Sequence, residues 1–172
     1  MPRRTRPTPD PPGAPVGEGR ESVWDYPRPP RLERTGKRIR VVFAGVTIVD
    51  TTDAYRVLET SHPPNYYVPP GEVLDGCLDR TQHSSYCEWK GMAHYYDVRI
   101  GDRVATDAAW GYLTPNRAFT TIAGYVAFYP GRMDRCLVDD EVAEPQPGGF
   151  YGGWITKDLV GPFKGDPGTQ GW

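Results

Sequence analysis

The chain has 172 residues, of which 19 are Pro and 20 are Gly while 38% are hydrophobic, so it is long enough for one domain with a real core and too turn-rich for a helical bundle. Its net charge of -2 hides an uneven spread, with ten Lys/Arg against five Asp/Glu over residues 1–40 and ten against seventeen beyond. The arginines of the basic arm are interrupted by Pro, Glu and Asp, which argues against nucleic-acid binding, and no apolar run approaches the roughly 18 residues needed to span a bilayer.

In chain order, residues 1–20 are rich in Pro and Arg with almost nothing apolar to bury, the composition of a flexible tail, and they lack the apolar stretch of an export signal. Residues 21–37 contain Trp24 and Tyr26 in a proline-stiffened backbone, which predicts a docking arm lying across the body. Arg38 to Asp50 reads as a hairpin about Ala44-Gly45. In TDAYRVLET, Ala54, Val57 and Leu58 have the i, i+3, i+4 spacing of a short helix over Thr52 to Thr60. Tyr66, Tyr67 and Val68, bracketed by prolines, read as an edge-like strand.

From Met92 to Ile100 the residues alternate, which predicts a strand with Met92, His94, Tyr96, Val98 and Ile100 toward the core. Gly101-Asp102 supplies a hairpin turn into an antiparallel return. Thr114 and Pro115 read as the start of a short helix over Asn116 to Thr121, followed by strands over Tyr125 to Tyr129 and Met133 to Val138. Residues 146–172 mix Gly with Phe150, Tyr151, Trp154, Phe163 and Trp172, and are expected to wrap the single β domain of residues 21–145 or to bury in a partner. Cys77, Cys87 and Cys136 are odd in number and widely spaced, which argues against disulfides and paired-cysteine metal sites and points to a reducing cytoplasm, with no metal and no cofactor.

The runs ETSHPPNYYVPPGEV, SSYCEWKGMAHYYDVRIGDRV, AAWGYLTP and IAGYVAFYPGRMD occur in the order found in the bacterial and fungal family known as domain of unknown function 427, which the chain resembles over roughly residues 38–142. Where that family often has Pro-Tyr-Lys-Gly after the cysteine, this chain has Glu88-Trp89-Lys90-Gly91. The resemblance implies a small antiparallel tent-like β-barrel with one or two short helices, flanked here by extended N- and C-terminal arms. Similar barrels occur in methionine sulfoxide reductase B and in the ligand-binding domain of cereblon, whose structural zinc is held by cysteine pairs that are absent here. The family has no agreed activity. Its loose nucleotidyltransferase-like label finds no support, since the chain has neither a glycine-rich phosphate loop nor a paired-aspartate strand.

The residues with chemistry to offer are Lys90, Glu59, His62 and Cys87. Lys90 can hold negative charge, Glu59 and His62 can act as base and orienter three positions apart, and Cys87 lies three residues before a cation that would favour its thiolate. The last is equally a small buried hydrophobe. Tyr67, Tyr96 and Trp110, then Tyr86 and Tyr112, are the candidate pocket walls, with Cys87 to Gly91 as the lip. These residues predict a small-molecule-binding domain or a metal-independent enzyme with Lys90, Glu59 and His62 as its polar groups. The alternative is a protein-interaction module, homodimeric through its aromatic C-terminal extension.

Overall fold

The computed structural model describes residues 19–172, so the tail expected over residues 1–20 lies outside the described residues except for Gly19 and Arg20. The fold is mainly β with short 3-10 turns and, among the described residues, no α-helix. Among the described residues no helix is long and apolar enough to cross a membrane.

The docking arm begins with β1 (Glu21–Ser22) and a 3-10 turn over Val23–Asp25, where the Ser22 hydroxyl accepts the Trp24 N–H at 3.3 Å. Next come β2 (Arg31–Arg34), β3 (Ile39–Phe43) and β4 (Val46–Thr51). The expected hairpin joins β3 to β4, and Ala44 (φ 51°) and Gly45 (φ 74°) give it the left-handed turn that matches strand twist. β5 (Tyr55–Leu58) and β6 (Asn65–Tyr67) pair antiparallel. The segment expected to be a short helix is therefore a strand. Its apolar residues do not share one face: Val57 enters one apolar cluster, Leu58 another and Ala54 a third.

β7 (Leu78–Cys87), β8 (Gly91–Ile100) and β9 (Arg103–Gly111) are the long strands, joined by tight turns, and β10 (Val126–Phe128) pairs with β9. Where a helix capped by Thr114 was expected, a 3-10 turn runs over Arg117–Ile122 with Asn116 at its start. Six residues give too few i to i−4 bonds for a stable α-helix, so the tighter form suffices. β11 (Arg135–Val138), β12 (Glu141–Val142), β13 (Glu144–Pro145), β14 (Trp154–Ile155) and β15 (Leu159–Val160) complete the chain.

The main sheets run β10-β9-β8-β7, β12-β11-β3-β4 and β2-β5-β6, and none closes on itself. Paired backbone bonds between Val68 and Val126, at 2.9 and 3.0 Å, stitch the end of β6 to β10. The β7–β10 sheet thus has a core on each face. Ile39, Val49, Val98 and Phe128 belong to the first core, and Tyr67, Tyr95, Trp110 and Tyr112 to the second.

This division corrects the expected single core face of β8. Tyr96, Val98 and Ile100 do pack against the first core, but that core stops short of Met92, which is 44% exposed, and the opposite residues Ala93 and Tyr95 are buried in the second. A third cluster unites the two arms: Trp24, Tyr26 and Leu159 pack together, Trp24 meets Trp172 edge-on at 5.4 Å, and β1 pairs in parallel with β15.

Candidate functional site

The second core is not completely filled. It opens into a pocket of about 290 Å³ lined from β5, β6, the β7–β8 hairpin, β9 and the C-terminal extension.

Lys90 ends the three-residue loop between Cys87 and Gly91, which face each other across the hairpin. Asn116 fixes that loop, donating its backbone N–H to the Lys90 carbonyl at 2.9 Å and its side-chain amide to the Trp89 carbonyl at 3.1 Å. The Lys90 side chain turns inward and is only 6% exposed. Its ammonium lies 5.6 Å from the centre of the Tyr112 ring, and among the described residues no carboxylate comes within 4.0 Å of it. Burial works against the charge, but Tyr67, Cys87 and Glu59 favour it, and the balance moves Lys90 upward from the ordinary lysine value. The site therefore holds a lysine nitrogen with little access to water.

Tyr67 and Tyr112 flank it. Burial raises both phenols, so they stay protonated, and Tyr67 accepts the Trp110 indole N–H at 3.2 Å. Cys87 is half-buried and lines the pocket, whereas Cys77 and Cys136 are buried in the first core with thiols pushed up by burial. All three are free, and among the described residues no cluster of His, Cys, Asp and Glu is arranged for a metal ion.

Glu59 and His62 sit on the turn after β5, where the His62 N–H donates to the Glu59 carbonyl at 3.0 Å. Glu59 Oε2 is 3.4 Å from the Arg28 guanidinium and 3.5 Å from His62 Nε2. On the other side of the ring, His62 Nδ1 is 3.1 Å from the Gln146 amide nitrogen. Gln146 is itself oriented: its oxygen accepts the Gly153 N–H at 3.1 Å and its nitrogen donates to the Lys164 carbonyl at 2.8 Å. The amide N–H therefore points at Nδ1, and the imidazole proton belongs on Nε2, toward Glu59.

Burial, then Lys164, Arg28 and Lys90, lower the His62 pKa from 6.5 to about 3, despite the adjacent carboxylate. The unfolded chain thus binds a proton on His62 that the folded chain refuses. The neutral ring's contribution to stability is intact above pH 6.5 and is lost as pH falls from there toward 3. At pH 5 that loss amounts to about 2 kcal/mol. Urea titrations at pH 7.5 and 5 are expected to show a fall larger by that amount in the wild type than in His62→Gln; parallel falls mean that His62 titrates normally.

The structure brings eight of the nine sequence-selected residues to this pocket. Lys90, Glu59, His62, Cys87, Tyr67 and Trp110 line it together with Tyr112 and the exposed Tyr86. Tyr96 is the correction: it lies on the opposite face of β8 against the first core, and its neighbour Tyr95 is the pocket wall. Sequence reasoning also missed Tyr129, Gln146, Tyr151 and Lys164. The one signal for the last three was the Gly/aromatic character of the extension, whose side chains demand burial.

Gly152 explains how the extension comes so close. A Cβ there would overlap the Trp110 indole, and one on Gly153 would lie 2.5 Å from Gln146 Oε1 and from Pro63 Cγ.

No curated protein matches this chain. Residues 31–139 match a family model described as a domain of unknown function, DUF427, and the chain belongs to that family.

Proposed function

We propose that the protein is a small-molecule-binding domain whose ligand is an organic anion seated on Lys90 between aromatic walls. The carrying observation is the buried Lys90 side-chain nitrogen, set against the Tyr112 ring and facing the pocket with no carboxylate within 4.0 Å of it among the described residues. A dehydrated cation costs several kcal/mol unless an opposite charge compensates it, and a bound anion is the missing compensation. The cations that outweigh Glu59 at His62 support the same sign of field. Should the domain be catalytic, Lys90 stabilises developing negative charge and Glu59, oriented by the His62 Nε2–H, moves the proton without a metal.

The stitch from β6 to β10 supports reading the open sheets as the tent-like barrel that carries such pockets. The unpaired cysteines favour a reducing, cytoplasmic setting. A second reading, a homodimer, draws on the edge position of β7 and on the exposed cross-strand pair Tyr86 and Met92.

Native mass spectrometry of the purified protein beside its denatured mass tests both readings at once. A discrete excess mass per subunit, lost on denaturation, is the expected result. A bare mass that no organic acid at millimolar concentration shifts overturns the binding reading, and a bare dimer moves the weight to the second.

A further inference from the structure

The extension adds a second cation to the pocket, outside the segment that matches the family. The backbone of Lys164 is held on both sides: its N–H donates to the Ser61 carbonyl at 2.9 Å and its carbonyl accepts from Gln146. Its ammonium lies 5.3 Å from the centre of the Tyr151 ring, which in turn packs edge-on against His62 at 4.7 Å. Among the described residues no carboxylate lies within 4.0 Å of this ammonium.

Each lysine thus lies against a tyrosine ring, Lys90 buried and Lys164 partly exposed, and both line the one pocket. Glu59 does not serve either as an ion-pair partner, because its carboxylate lies between Arg28 and His62. Trp110, Tyr129 and Tyr151 supply flat apolar surface in the same pocket. Two ammonium groups with rings around them match a flat ligand charged at both ends.

We propose that the ligand is a planar organic dianion, a dicarboxylate in its simplest form, with one anionic group on Lys90 and the second on Lys164. This rests on the anion reading above and makes Lys164 the specificity-determining residue of this chain.

The test uses the full chain with benzoate and the three benzene dicarboxylates, titrated calorimetrically at low ionic strength. At least one dicarboxylate is expected to bind about tenfold tighter than benzoate. Lys164→Met removes that advantage, weakening the favoured dicarboxylate far more than benzoate, and Lys164→Arg retains it. Equal affinity for benzoate and all three dicarboxylates, or a Lys164→Met variant that weakens every acid alike, overturns the dianion assignment and leaves the anion reading standing. Silence from the whole panel, together with a bare native mass, overturns both.

Discussion

Replacing Lys90 with Met is expected to weaken organic-acid binding on the order of 100-fold while moving the melting temperature by no more than about 2–4 °C. Both halves follow from burial. With no carboxylate within 4.0 Å among the described residues, the ammonium's desolvation is offset only by the Tyr112 ring, nearby phenol and thiol groups and the more distant Glu59. Met has nearly the same length and no charge to dehydrate, and replacing buried charge by matched apolar volume is often neutral or stabilising. The bound anion, by contrast, loses its main electrostatic partner in a water-poor pocket. Differential scanning fluorimetry and calorimetry on the same preparation read both quantities. A variant that binds normally sinks the role of Lys90 as anion holder, and one that melts well below the wild type makes Lys90 a structural prop.

Trp154→Ala is expected to cost about 3–5 kcal/mol, a large share of the stability of a domain this size. Trp154 is 1% exposed, packs on Tyr66 at 4.9 Å and donates its indole N–H to the Phe128 carbonyl at 3.0 Å, so its loss leaves both a cavity and an unpaired carbonyl. Its backbone N–H also holds the Pro64 carbonyl at 2.9 Å, next to His62. Deleting residues 146–172 removes this anchor with Gln146 and Lys164, and is expected to yield an unfolded chain rather than a monomer released from a dimer. A cooperative melt near the wild-type temperature for either variant would make the extension an accessory.

The legible parts of the fold were those fixed by local chemistry. The Ala44-Gly45 and Gly101-Asp102 turns sit between β-branched runs, and each hairpin formed where the turn placed it. Periodicity misled where a strand is buried on both faces. In β5 the apolar residues point into different clusters, yet their spacing imitates a helical stripe. In β8 the buried side changes along the strand, so one alternation cannot describe it, and Tyr95 rather than Tyr96 forms the pocket wall.

The site was legible to the same degree. Lys90, Glu59 and His62 lie on turns that the sequence announces with Gly and Pro. Gln146 could not be read, because its partner His62 is 84 residues away and nothing local marks an amide as a clamp. The same holds for Lys164, which no local motif marks until the extension folds back.

The parallel pairing of β1 with β15 has a bearing on synthesis. Glu21 faces Leu159 and Ser22 faces Val160, and Trp24 donates to the Pro162 carbonyl, 138 positions further on. On the ribosome β1 has no strand partner until β15 has emerged, although the arm's Val23 and Tyr26 can already meet Leu58 and Thr60. Until that moment Trp24 lacks its late partners and the pocket lacks Gln146 and Lys164, so a chain stalled short of Trp154 presents a half-built ligand site and an unclosed core.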